Sequence, residues 1–204
     1  MNFQDTQLIG VLARAESTVS SLSSLLGGLV EKFAARGYSL YLVGGSVRDA
    51  LLGRLGNDLD FTTPARPGVV KEILDEWAET VWDTGIDFGT VSAAYKGQQI
   101  EITTFRSDSY DGQSRNPEVV YGDTLEGDLV RRDFKVNAMA IELLADASFT
   151  FHDPLHGLQD VADRVLDTPD KPEISFHDDP LRMLRAARFA SQLEFRVALS
   201  LIHI

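Results

Sequence analysis

The stretch YLVGGSVRDALLGRLGNDLDFTT, Tyr41 to Thr63, does more to narrow the folds open to this chain than any other part of it. The apolar run YSLYLV stops at Gly44-Gly45 and reads as a buried strand closed by a glycine turn. SVRDALLG opens on Ser46, a residue type that caps helices, carries Leu51 and Leu52, and stops at Gly53, so it reads as a short helix. NDLDFTT reads as a second strand. Strand, glycine turn, helix and strand in succession mark an α/β (α+β) chain.

The same residues carry chemistry. Asp58 and Asp60 alternate on the second strand, so both carboxylates point to one face, about 6 to 7 Å apart along the backbone. Oxygen ligands so placed suit a hard divalent cation such as Mg2+. Gly44 and Gly45 let backbone approach a ligand closely, and the helix opening at Ser46 offers free N–H groups to an anion. Arg48 lies one turn in, where its fork can reach a phosphate. A phosphate cradle beside a metal pair suggests nucleotidyl transfer. Glu101, between Ile100 and Ile102 in a strand whose apolar residues face the core, is the candidate third carboxylate. Taken singly, each feature has a plainer reading: Asp-x-Asp as a solvated strand end, Gly-Gly as a turn, Glu101 as a surface position. Their combination at this spacing is much rarer by chance.

Elsewhere the chain reads as a helix closing on Gly37, an amphipathic helix in GVVKEILDEWAE, and a hairpin in GTVSAAYKGQQIEITTF turning at Lys96-Gly97. A polar loop, about Arg106 to Gly127, exceeds ordinary connection lengths. DLVRRDFKVNAMAIELL resumes ordered structure, and FTFHDPLHGLQDVADRVLDTP mixes short strands with one helix. DDPLRMLRAARFASQL is a helix with Pro180 in its first turn, capped by Asp178 or Asp179. With no cysteine, thiolate metal sites and disulfides are excluded, and no apolar run reaches the roughly 20 residues of a membrane span. A cytoplasmic protein with no membrane contact and no obligatory protein partner is expected. The net charge of −12 runs against nucleic-acid binding. Charge is uneven, however. Ser107 to Val130 holds six acids and one base, Arg115, whereas Arg182 to Arg196 holds four arginines and one acid, Glu194, so a basic face on an acidic body is expected.

LVGGSVRDALLGRLGNDLDFTT resembles the head-domain motif of the class II tRNA nucleotidyltransferases and bacterial poly(A) polymerases, a branch of the DNA polymerase beta superfamily. IEITTFR, RRDFKVNAMA, DPLHGLQD and DDPLRMLRAARFA are similar to that family's further motifs and stand in its order, from Tyr38 to about Phe195. The resemblance implies a polymerase-beta-like nucleotidyltransferase head with a mixed, largely antiparallel sheet, preceded by helices and followed by the start of a helical neck. The boundaries expected are an N-terminal helical arm at 1–37, the head at 38–150, and the head-neck connection with the start of the neck at 151–204. The implied activity is template-independent addition of C, C and A from CTP and ATP to the 3′ end of tRNA, with Mg2+ as cofactor.

By resemblance, Asp58 and Asp60 bind metal with Glu101 completing the catalytic set, and Gly45, Arg48 and Arg132 contact the triphosphate. Asp133 and Asn137 shape the ribose pocket, Asp179 and Arg182 read the base, and Arg185 and Arg188 add phosphate or base contacts. Asp179 and Arg182, as i and i+3 on a helix, would offer an acceptor and a donor fork on one face; the plainer reading is a helix cap with an exposed arginine face. The family pattern starts this motif Glu-Asp, where this chain has Asp178-Asp179, and Asp178 can serve as a cap. WDTGIDFGTVSAAY and the acidic loop around Asp108 to Asp123 are closer to CCA-adding members than to the poly(A) branch. Poly(A), CC-only and A-only addition stay open, as does a nucleotide- or RNA-binding fragment without activity. Family members continue beyond this point, so the chain is expected to be a fragment or a truncated reading frame. His177-Asp178 reads as a cap, and Pro154 between His152 and His156 argues for a loop over a helical metal pair.

Overall fold

A computed structural model describes residues 3–108 and 119–202. Residues 109–118, the middle of the long acidic loop, and the last two residues of ALSLIHI lie outside the described residues. The chain begins with α1 (Phe3–Ala35), then β1 (Leu40–Val43), α2 (Gly44–Leu51), β2 (Asp58–Thr63) and α3 (Pro67–Asp75). Strands β3 (Thr80–Trp82), β4 (Thr90–Tyr95) and β5 (Gln98–Thr104) follow, and β6 (Arg106–Asp108) and β7 (Val119–Tyr121) pair antiparallel. Next come α4 (Leu125–Val130), a 3-10 turn at Lys135–Asn137, β8 (Ala140–Leu143), β9 (Phe149–His152), α5 (Gly157–Asp163) and β10 (Val165–Leu166). The chain continues through α6 (Pro172–Asp178), α7 (Leu181–Leu193), β11 (Arg196–Val197) and α8 (Leu199–Ile202).

Among the described residues the main sheet has seven strands in the order β3-β4-β5-β2-β1-β8-β9, with β2–β5 its one parallel pair. The mixed, largely antiparallel sheet is therefore as the sequence suggests. Its hairpin turns at Lys96 and Gly97, both at positive φ (48° and 79°), the backbone that joins two strands with native twist. Period-2 alternation sends Leu59, Phe61, Ile100 and Ile102 into one core and leaves Asp58, Asp60, Gln99 and Glu101 on the opposite face. That core takes in Val11, Ala15, Val19, Leu22, Leu26, Leu29 and Phe33 of α1, spaced three and four apart, and reaches Ala186 and Phe189 of α7. A smaller apolar cluster of Val43, Leu129, Ala138 and Ala140 seats α4 on the open face of the sheet. No helix among the described residues is long and apolar enough to cross a membrane.

Three local expectations need correction. Ser46 does not cap α2: the helix starts at Gly44 with Val43 in the cap position, because Gly44 takes a positive φ of 67° and turns the chain directly from strand into helix. The Gly-Gly pair is thus the helix's first turn. The polar loop is not loop at its base, where β6 and β7 form a two-stranded arm. Finally, Asp178 ends α6, a helix that sequence periodicity missed, and Asp179 is extended (φ −143°, ψ 97°) between two helices. Its Oδ1 accepts from the N–H of Leu181 at 3.0 Å, from one residue before the cap position of α7, which Pro180 occupies, so neither acid is the cap residue.

Asp160 of α5 is ionisable and half-buried, with an Oδ2 that is enclosed and has no hydrogen-bond partner among the described residues. Burial pushes its carboxyl up to about 6; Lys135 opposes the rise, and Asp167, Asp153 and Asp163 add to it. The native chain therefore holds a proton that the unfolded chain gives up above 3.8, so stability falls as pH rises through that window and the penalty is complete above about 6. Asp160→Asn is expected to stabilise the protein by about 1 to 2 kcal/mol at pH 8, discounted for partial exposure. At pH 4 it should change little. Thermal melting at both pH values checks this, and an equal effect at both would exclude the carboxylate's charge as the cause.

Candidate active site

Asp58, Asp60 and Glu101 share the open face of the sheet. Asp60 and Glu101 are direct partners in the parallel β2–β5 register, on strands about 4.8 Å apart. Ser46, almost fully buried, organises this edge: its Oγ accepts from the N–H of Asp60 at 2.9 Å and donates to the carbonyl of Asp58 at 3.3 Å. Its hydroxyl is thus turned to the Asp-x-Asp backbone, and Ser46 does not line the cleft beyond. Burial raises the Asp60 carboxyl, Glu101 and Asp58 raise it further, and Arg132 and Arg48 oppose them. Acidic groups crowding one another in this way are stabilised by a cation. Among the described residues no three carboxylates or imidazoles converge closely enough to cage an ion alone.

Beside the acids opens a cleft of about 420 Å³. Gly44, Gly45, Arg48, Asp60, Arg132, Asp133, Asn137, Asp179, Arg182, Arg185 and Arg188 all line it, together with Phe189. Five arginines against three acids make it locally basic on an acidic body. Gly44 is required by its positive φ, and a Cβ there would also stand 3.0 Å from Nη1 of Arg132, pressing on the end of that side chain.

A continuous hydrogen-bonded chain runs along the cleft wall. Arg48, 7% exposed, donates through Nε and Nη2 to both oxygens of Asp49 (3.0 and 2.9 Å) and through Nη1 to Oδ1 of Asn137 at 2.7 Å. Asn137 Nδ2 donates to Oδ1 of Asp133 at 3.0 Å, and Oδ2 of Asp133 accepts from Arg185 Nε at 2.8 Å, with Nη2 in ion-pair contact at 2.6 Å. Side chains from α2, the 3-10 turn and α7 are so held in one geometry. Phe189, which sequence reading missed, lies among three guanidinium groups: Arg188 at 4.7 Å from its ring centre, Arg48 at 5.2 Å and Arg185 at 5.8 Å. Its placement one residue after Arg188 and four after Arg185 was the available signal.

Asp179 and Arg182 do not form the predicted donor and acceptor face. Asp179 precedes the helix, and Arg182 donates to Oγ of Ser175 and to the carbonyl of Arg131, both at 2.8 Å. Both still line the cleft. His152 sits on β9 edge-on to Tyr41 at 5.8 Å, and His156 occupies the left-handed residue before α5, a loop position as Pro154 suggests.

Residues 40–167 match the family model for the poly(A) polymerase head domain. The chain belongs to the poly(A) polymerase head-domain family. Among curated members, it is 42% identical over 170 residues to the CCA-adding enzyme of Listeria monocytogenes serotype 4a (strain HCC23), covering 83% of this chain and 41% of that one. It is 44% identical over 162 residues to the CCA-adding enzyme of Lactobacillus helveticus (strain DPC 4571), covering 79% and 39%. The solved Bacillus stearothermophilus CCA-adding enzyme in complex with CTP superposes with a TM-score of 0.73 at 36% identity, covering 88% of this chain and 41% of that one. A tRNA nucleotidyltransferase complexed with a primer tRNA and an incoming ATP analog gives 0.68 at 32% identity, covering 90% and 47%. The chain spans less than half the length of these poly(A) polymerase head-domain relatives.

Proposed function

We propose that this chain is the catalytic head of a cytoplasmic CCA-adding tRNA nucleotidyltransferase, with residues 1–37 as helical arm, 38–150 as head and 151–204 as head-neck connection. The observation that carries the reading is the alignment of Asp60 with Glu101 across β2 and β5, with Asp58 two residues before and Asp60 itself lining an arginine-rich cleft. Asp58 and Asp60, with Glu101 beside them, would hold Mg2+; when bound, the ions neutralise triphosphate charge and favour the alkoxide form of the attacking hydroxyl.

The chain's own residues do the rest. Gly44 and Gly45 admit the triphosphate against backbone, and Arg48 and Arg132 balance its charge. Asp133 and Asn137, fixed by Arg185 and Arg48, bound the ribose. Asp179 and Arg182 line the same cleft, where a base edge would meet them once Arg182 exchanges its Ser175 and Arg131 partners for it. The tRNA 3′-hydroxyl then attacks the α-phosphorus of CTP or ATP. A P–O bond forms, the α–β anhydride bond breaks, pyrophosphate leaves, and the proton passes to the carboxylate set. Catalysis is mainly positioning and charge stabilisation.

Poly(A) addition is the second reading, favoured by the description of the matched family model. Both are tested by incubating the chain with tRNA lacking its 3′ end, with CTP and ATP separately and together. Two additions with CTP alone and a third only with both nucleotides is the expected result. Repeated A addition from ATP alone would select the poly(A) reading. Mg2+-dependent CTP binding without turnover would leave a nucleotide-binding head.

A further inference from the structure

Asp128 takes no part in the chemistry above, yet at 1% exposure it is the most buried charged side chain among the described residues. It stands on α4, three residues before Arg131 and four before Arg132. Its Oδ2 accepts from Nη2 of Arg132 at 2.9 Å. Its Oδ1 accepts from Nε and Nη2 of Arg131, each at 3.4 Å, and from the backbone N–H of Arg106 at 3.2 Å. One carboxylate thus ties the base of the β6–β7 arm to both arginines at the end of α4.

Arg132 is the shared wall between two spaces. It lines the nucleotide cleft with Gly44, and it lines a second cleft of about 220 Å³ with Asp60, Glu101, Thr103, Arg106 and Arg131. An arginine free to move beside Asp60 and Glu101 would settle onto them, since forked guanidinium-carboxylate pairs are among the strong hydrogen-bonded contacts. Acids so occupied could not take a cation. Arg132 instead has Nη2 on Asp128 and Nη1 turned toward Gly44. We propose that Asp128 is a positioning residue: it keeps Arg132, which lies beside the Asp60 and Glu101 carboxylates, from pairing with them directly, and presents it to the triphosphate of the incoming nucleotide. The proposal rests on the nucleotidyltransferase reading.

The test is calorimetric binding of CTP and of cytidine monophosphate, with Mg2+, to the wild-type chain, Asp128→Asn, Arg132→Ala and the double variant. Asp128→Asn is expected to weaken CTP binding roughly tenfold to a hundredfold, the range for partners that orient a contacting group. Cytidine monophosphate affinity should not change, and the double variant should bind CTP no more weakly than Arg132→Ala. Unchanged CTP affinity in Asp128→Asn, or losses that multiply in the double variant, would overturn the proposal. Arg132→Lys tests it without touching Asp128, because an ammonium keeps the charge but cannot span Asp128 and the cleft together. It should lose CTP affinity at least about tenfold, and retention of wild-type affinity would again overturn the proposal. A wild-type chain that binds no CTP would instead overturn the nucleotidyltransferase reading, and this proposal with it.

Discussion

Asp58→Ala is expected to cut nucleotide incorporation by at least about a thousandfold, equivalent to about 4 kcal/mol, while leaving the melting temperature almost unchanged. Asp58 is exposed at the start of β2, and what it gives the fold comes from its backbone: the carbonyl that accepts from Ser46 and the pairing with Gln99. Truncation to alanine keeps both. What disappears is one of the carboxylates that would hold Mg2+, and with it the charge needed to keep a divalent ion beside the triphosphate. Incorporation of labelled CTP into tRNA lacking its 3′ end, alongside thermal melting, checks both halves. Wild-type turnover would sink the metal assignment. Joint loss of activity and fold would make Asp58 a structural residue instead.

Gly157→Ala should be the most damaging single methyl to stability, costing about 3 kcal/mol or more and lowering the melting temperature by about 6 to 12 °C. Gly157 opens α5 where that helix lies against the 3-10 turn, and a Cβ there would be driven into the Lys135 carbonyl, with Met139 Cγ a further 3.0 Å contact. Backbone cannot yield as a flexible side chain can. Lys135 is tethered on both sides, its N–H to the carbonyl of Asp167 at 2.9 Å and its Nζ to the Asp167 carboxylate at 2.6 Å. The turn it belongs to also carries Asn137, the link between Arg48 and Asp133. Displacing it should therefore weaken CTP binding as well as lower the melting temperature. A variant with wild-type melting temperature and wild-type CTP affinity would show that α5 can shift without cost.

Much of the architecture was legible because it depends on near neighbours. Alternation put Ile100 and Ile102 in the core and Glu101 on the other face, and Lys96-Gly97 marked a tight hairpin, since these are properties of a few consecutive residues. Local reading failed where two local rules competed. Ser46 is a good cap, but a glycine free to adopt positive φ let the helix begin two residues earlier. Asp179 is correctly spaced from Arg182, but the break between α6 and α7 took it off the helix. Asp128 went unnoticed because an acid three and four residues before arginines reads equally well as a solvated ion pair; only burial under the sheet's open face gives it weight.

From the order of its residues alone this chain announced its carboxylates, its glycine cradle and its arginine-rich helix. Each is a pattern of adjacent residues whose conformational preferences act over a few ångströms. Which of them meet was left to the folded chain. Arg48 reaches Asn137 across 89 residues and Asp133 reaches Arg185 across 52, contacts that no periodicity encodes. They form because burying the α1 face, the sheet core and Phe189 together brings strands and helices into a single register. Hydrophobic burial is non-directional along the sequence, and only the packed interior converts it into a particular set of neighbours.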